Sequence, residues 1–280
     1  MKGPGRQHRA PPGAVEKRVQ RRRGAQIETA ADLVAAEVPI ALSYNGEPFA
    51  VMMATPDALE DFALGFTVSE GIAPADDTEI LAIEPSLEGV SIRLSIPETA
   101  AAALGERRRN LQGRSGCGTC GTASIEAVLR PPPPVGSGPA VDMAALERAL
   151  GELASRQSLN AATGATHAAA WADAHGGLVC VREDVGRHNA LDKLIGALLS
   201  EHIGFDSGFV VITSRASYEM AMKAAQAGIA LLAAISAPTA LAIALAESAG
   251  LTLIGFARDG GCVVYAHPQR LTAPSAEAAA

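Results

Sequence analysis

The chain reads as an α/β protein in two unequal parts: a smaller mixed α+β first half and a larger second half built on a sheet. Two observations carry this. After residue 177, short apolar runs alternate with helical patterns of roughly 10–14 residues, the order expected of a largely parallel sheet covered on both faces. Between the halves, Pro131–Pro134 and the following Val-Gly-Ser-Gly-Pro form a stiff linker with a flexible end, residues 131–140. With 48% hydrophobic but only 4% aromatic residues, the core is expected to be aliphatic and closely packed.

The elements follow in order. Residues 1–23 hold eight Lys or Arg against one acid, Glu16, so a tail of about +7 precedes a body of about −14. Residues 1–26 are read as a basic, disordered tail. An acidic body argues against a dedicated nucleic-acid protein. Order begins near Ile27, and residues 27–130 form the first domain. Val38–Tyr44 and Pro48–Ala54 flank Asn45-Gly46, a hairpin signal. Thr55-Pro56 is read as a helix start, Leu59, Phe62, Ala63 and Phe66 recur at helical spacing, and Gly71 closes the helix. Val90–Ile96 alternates as a half-buried strand.

Beyond the linker, residues 141–270 form the second domain, opening with a helix capped by Asp142. Strands are read at Leu178–Val181, Phe209–Thr213, Ile229–Ser236, Leu251–Phe256 and Cys262–Ala266. Helices are read at Asn189–Ser200, Ser217–Ala227 and Pro238–Ala249. His167 and Trp171, four apart, read as one helix face, with Trp171 in the core; Lys193 reads as solvent-facing. Residues 271–280 read as a disordered tail.

Two sets of residues carry chemistry. The first is Arg114-Ser-Gly-Cys-Gly-Thr-Cys-Gly121, where Cys117 and Cys120 stand among three glycines with Arg107, Arg108, Arg109 and Arg114 nearby. Glycine offers no side chain to block an approaching partner, and cations favour the reactive thiolate. The loop fits a persulfide carrier, which needs access from two partners in turn. A zinc site needs three or four protein ligands; the pair supplies two, and His167 or His188 would have to complete it. A dithiol redox pair normally sits at a helix start after a strand, a context missing here. No metal site is expected. The second set lies at the predicted strand ends: Arg187, His188, Ser214, Arg215, Ser236, Thr239 and the stretch Phe256, Ala257, Arg258, Asp259, Gly260, Gly261. Open α/β sheets bind ligands outside the carboxyl ends of their strands, and this residue mix suits an anionic, nucleotide-like ligand. Arg187 and Arg215 equally suit salt bridges to Glu183, Asp184 or Glu219.

No apolar run reaches the roughly 18 residues of a membrane span, and the N-terminus lacks the apolar stretch of a secretory signal. A cytoplasmic protein is expected.

The thiol loop, Glu183-Asp-Val-Gly-Arg-His-Asn-Ala-Leu-Asp-Lys193, Ser214-Arg-Ala-Ser-Tyr-Glu-Met220, Ser236-Ala-Pro-Thr239 and Leu64-Gly-Phe-Thr-Val-Ser-Glu-Gly71 together resemble the FdhD family of formate dehydrogenase accessory sulfurtransferases, over about residues 27–270. The resemblance implies a three-layer α/β/α second domain of the cytidine deaminase-like fold and a homodimer. It implies sulfur accepted from a cysteine desulfurase as a persulfide on Cys117, with Cys120 as its partner, and passed to the molybdenum cofactor, bis-molybdopterin guanine dinucleotide, for formate dehydrogenase. Phe256–Gly261 matches the family's cofactor-binding stretch. A noncatalytic chaperone of the same cofactor is the competing expectation. Deaminase chemistry is not implied, because the His-x-Glu and Pro-Cys-x-x-Cys zinc motifs do not occur.

Overall fold

In the first half, period-two alternation builds a four-stranded sheet. Val38–Tyr44 (β3) and Glu47–Ala54 (β4) pair antiparallel across Asn45-Gly46, whose φ angles of 49° and 84° are those of a two-residue type I′ turn. Glu79–Pro85 (β5) and Val90–Ser95 (β6) complete the order β4-β3-β6-β5. Ile40, Leu42, Tyr44, Ile92 and Leu94 point inward and pack with Phe62 and Phe66 of Leu59–Ser69 (α1). The computed structural model describes residues 10–111, without the side chains of 106–111, and residues 131–272. The Cys117 loop therefore lies outside the described residues, after helix Glu98–Leu111 (α2).

The second half has a six-stranded sheet in the order β13-β12-β11-β10-β8-β9. These strands are His167–Asp173 (β8), Leu178–Asp184 (β9), Gly208–Ile212 (β10), Leu231–Ala234 (β11), Thr252–Arg258 (β12) and Gly261–Ala266 (β13). Only β10, β11 and β12 run parallel to one another; β8, β9 and β13 join antiparallel to their neighbours. The expected largely parallel sheet is thus a mixed one. The reason is connection length: Asp259-Gly260 between β12 and β13 is a two-residue turn, far too short for a parallel crossover. Helices Arg187–Ser200 (α5), Tyr218–Gln226 (α6) and Ala240–Ala249 (α7) pack with Trp171, Val210, Ile212 and Leu232 on one face. Met143–Arg156 (α3), followed by the short helix Ser158–Thr163 (α4), packs with Phe209, Val211, Leu231 and Ile254 on the other. The result is a three-layer α/β/α arrangement.

Four expectations need correction. Trp171 is buried as expected, but His167 and Trp171 lie in β8, not on a helix; Ala168–Ala172 is buried on both faces, and an all-apolar run hides its period. The first helix starts at Leu59, with Ala58 at φ 50°, and not at a Thr55 cap. Thr55 is wholly buried and given to a tertiary contact: its N–H donates to Asp184 Oδ2 at 3.0 Å, and its Oγ1 accepts from Val185 N–H at 3.2 Å. Lys193, read as solvent-facing, is completely buried. Finally, much of the segment read as a disordered tail is a hairpin. Ala14–Arg23 (β1) and Gln26–Ala35 (β2) pair antiparallel from Ala14↔Ala35 to Arg23↔Gln26. Net charge predicts disorder, but cross-strand pairs such as Arg21–Asp32 at 3.0 Å offset it.

The first and last segments of the second domain are also fastened. In the segment read as a linker, Val135 N–H donates to Ala249 C=O at 2.9 Å, and Arg270 Nη2 donates to Gly136 C=O at 2.8 Å. Val141–Asp142 (β7) pairs with Leu271–Thr272 (β14), so the start of the segment read as a disordered C-terminal tail is a strand.

Candidate cofactor-binding site

The sheet places the predicted strand-end residues along one edge. β10, β11 and β12 end there; β9, antiparallel to β8 and hence aligned with β10, ends there too; β8 begins there. Backbone hydrogen bonds stitch the loops together. Thr239 N–H donates to Ala216 C=O at 3.1 Å, and Phe256 N–H donates to Ser236 C=O at 3.2 Å. With strands about 4.8 Å apart, the edge from β12 to β9 spans four steps, about 19 Å. A row of that length suits an extended ligand.

At the β12 end, a cavity of about 350 Å³ opens between α3 and the β12–β13 turn. Ala257, Arg258, Asp259, Gly260 and Gly261 line it with Met143 and Glu147. Asp259 and Gly260 hold φ 54° and 74°, the backbone of a two-residue hairpin turn. Phe256 holds φ 50°, uncommon for a bulky side chain, in a stretch where the β12–β13 register shifts. Its ring is 39% exposed, and the Arg258 guanidinium lies 5.9 Å from its centroid. Arg258, which lines the cavity, thus carries an aromatic face beside it. Gly255 permits the close seating of the neighbouring loop, since a Cβ there would fall 2.7 Å from Pro238 Cδ.

At the β9–β10 end, Arg187 opens α5 and its Nε is buried without a hydrogen-bond partner among the described residues. His188 Nε2 lies 2.8 Å from a Glu219 carboxylate oxygen, an ionic approach without the alignment of a hydrogen bond. His167 stands beside them. Burial first, then the positive charge of Arg187 and His188, pushes its imidazole below the usual histidine value. Not every predicted side chain is available to a ligand. Thr239 caps α7, accepting from Ala242 N–H at 3.3 Å. The Ser214 hydroxyl donates to Arg215 C=O at 3.1 Å, Arg215 is exposed, and Ser236 is half-buried with its carbonyl accepting from Phe256.

The Glu183–Lys193 segment does more than face this edge. Its charged residues lock the two halves together. Asp184 and Lys193, both wholly buried, pair at 2.6 Å; Asp184 also accepts from Thr55 N–H, Gly186 N–H and Asn189, while Lys193 donates to Thr55 C=O at 2.9 Å. One turn away, Lys223 holds Asp192 at 3.0 Å and Glu70 at 2.7 Å, with Ser69 donating to Asp192 at 2.5 Å. Burial alone would lower the Lys223 pKa; Asp192 and Glu70 outweigh it and hold the ammonium above the ordinary lysine value. Sequence reasoning missed this cluster. The signal was there: Asp192 and Lys193 are the charged positions in residues 190–199, a helical stretch otherwise apolar all round, which marks a buried segment.

The two described cysteines are poor nucleophiles. Burial raises the thiol pKa of Cys180 on β9 and of Cys262 on β13. Among the described residues no group of three or more His, Cys, Asp or Glu is placed to hold a metal, and no helix is long and apolar enough to cross a membrane. Cys117 and Cys120 fall outside the described residues, so their distance from this edge is not part of the geometry.

Known proteins share both sequence and fold with this chain. Sulfur carrier protein FdhD of Xanthomonas euvesicatoria pv. vesicatoria (strain 85-10) is 66% identical over 261 residues, covering 93% of each chain. Sulfur carrier protein FdhD of Cupriavidus necator (strain ATCC 17699) is 54% identical over 254 residues, covering 90% of this chain and 88% of the relative. A crystal structure of a candidate formate dehydrogenase accessory protein from Desulfotalea psychrophila superposes with a TM-score of 0.74 at 24% identity, covering 93% of this chain and 100% of that one. The family model described as FdhD/NarQ family matches residues 35–272. The fold, the strand-end motifs and these matches agree, and the chain belongs to the FdhD/NarQ family.

Proposed function

We propose that this chain is a sulfur carrier serving formate dehydrogenase, and that it works as a sulfurtransferase through a persulfide on Cys117. The observation that carries the reading is the Cys117-Gly-Thr-Cys120 motif in a chain 66% identical to a protein named sulfur carrier protein FdhD. The donor is a cysteine desulfurase. The Cys117 thiolate attacks the terminal sulfur of the donor's persulfide; the donor's S–S bond breaks, its thiolate leaves, and Cys117 holds S–S⁻. Attack by the Cys120 thiolate on Cys117 Sγ then forms a Cys117–Cys120 disulfide and releases the terminal sulfur as sulfide. The electron pair of the broken bond leaves with it.

The acceptor in this reading is bis-molybdopterin guanine dinucleotide, bound as a substrate along the strand-end edge. Phe256 offers a face for a base, Arg258 and Arg187 offer guanidinium groups to phosphate, and the Ala257–Gly261 turn walls the cavity. The protein acts in the cytoplasm as a homodimer, with formate dehydrogenase as its client.

Labelled cysteine and a cysteine desulfurase test the carrier step. Wild type takes up label that reductant releases, and Cys117→Ala takes up none; label at the wild-type level on Cys117→Ala overturns the assignment. Loss of both thiols should also abolish sulfur-dependent activation of formate dehydrogenase. A noncatalytic chaperone would tolerate it. The ligand is tested separately: Phe256→Ala should weaken binding of a guanine nucleotide by about tenfold, the size of one lost base stack.

A further inference from the structure

The basic hairpin takes no part in the site described above, yet it is the most exposed element of the fold. Within one chain β1 and β2 form a separate two-stranded sheet. From residue 15 to residue 29 every side chain except Val19 is exposed, and Ile27 is 60% exposed. A lone two-stranded ribbon is marginal in water, and it gains stability from a third strand or a packed surface. Only its root has one here: Gly13 sits against Thr55 and Leu159, and both strands touch the short helix Ser158–Thr163. With strands of ten residues, the arm reaches about 33 Å.

Its charge is divided between the strands: β1 holds five cations against Glu16, and β2 holds Glu28 and Asp32. β1 carries Lys17, Arg18, Arg21, Arg22 and Arg23. Arg21 pairs with Asp32, and Arg22 bonds the neutral Gln20, which leaves Lys17, Arg18, Arg22 and Arg23 without an ion pair among the described residues. Residues 36–280 reverse the balance, with 15 Lys and Arg against 27 Asp and Glu. One acidic feature matches the arm in kind. Among the described residues β5 is a free edge of the first-half sheet, and exposed Asp76, Asp77, Glu79 and Glu88 lie along it and at its ends, with Glu84 paired to Arg93. Leu81 on the same strand is 54% exposed. The arm of the same chain is not paired with this edge, so a second copy of the chain is the molecule that can bring the two together.

We propose that the β1–β2 hairpin is a clasp that adds to the acidic β5 edge of a second copy of this chain. β1, with its five cations, lies along β5; backbone groups complete the ladder and the charges set the pairing. Two-fold symmetry makes the contact twice, arm on edge and edge on arm. The clasp rests on the dimer reading above and says how the dimer is held.

Sedimentation of the full chain tests it through a charge swap. Wild type is dimeric at low salt and dissociates as salt rises. An arm-reversed variant, Lys17→Glu with Arg18→Glu, Arg22→Glu and Arg23→Glu, should dimerise at least tenfold more weakly. An edge-reversed variant, Asp76→Lys with Asp77→Lys and Glu79→Lys, should do the same. An equimolar mixture of the two should recover the dimer, since each acidic arm then meets a basic edge and each basic arm an acidic one. Recovery also shows that both variants are folded. A monomeric wild type sinks the dimer reading and the clasp together. A wild type that is dimeric beside an arm-reversed variant of equal affinity, or a mixture that stays monomeric, sinks the clasp alone.

Discussion

Single residues divide the strand-end edge into groups that face a ligand and groups already spoken for. Arg258 lines the cavity with the exposed Phe256 ring beside it, whereas the Thr239 hydroxyl is taken by a helix cap and the Ser214 hydroxyl by a neighbouring carbonyl. The sequence marks all of them alike, because residue type says nothing of which partner a hydroxyl finds first. His167 yields a prediction at this scale. Its folded-state pKa lies below its unfolded value, so below about pH 6.5 the unfolded chain binds the proton first. Stability therefore falls as pH drops from 7 toward 5. His167→Gln should flatten that part of the dependence, read as melting temperature against pH; an unchanged slope would show that other groups set it.

Elements were legible where a local device dictates them. Asn45-Gly46 announces its hairpin, and Asp142 caps α3 by accepting from Ala145 N–H at 2.7 Å. Asp259-Gly260 is the same kind of signal, and it turns β13 back against β12. Elements were misread where a distant partner decides: β8 looked helical, and β1 looked disordered. Helix crossing is of the second kind. α1 and α5 meet at Gly65 and Gly196, where a Cβ would fall 1.7 Å from Asp192 C=O and 1.8 Å from Asp61 C=O respectively. Gly65→Ala must push the helices apart, and it should destabilise the protein by about 1–3 kcal/mol or more, read by denaturant unfolding. Gly151→Ala, with open space around its Cβ position, is the matched control and should cost nothing measurable.

On the scale of the whole molecule, the buried pairs Asp184–Lys193 and Asp192–Lys223 lie within the α/β/α half and join it to the four-stranded half through Thr55, Ser69 and Glu70. Removing one partner leaves an uncompensated buried charge, which costs roughly 3–5 kcal/mol. Lys193→Met should lower stability by that amount and loosen the first half from the second, so that calorimetry shows a broader or split transition in place of one. A single sharp transition at the wild-type temperature would mean that the pair does not couple the halves.

The sequence by itself determined the family, the α/β class, the thiol pair and the set of strand-end residues, because these rest on local spacing and residue type. Only the tertiary structure decided that the sheet is mixed, that Lys193 and Asp192 are buried joints between halves, and that the basic segment stands out as a hairpin. Each of those depends on contacts between residues far apart in the chain. Their free energy comes from burial and pairing that no local pattern records.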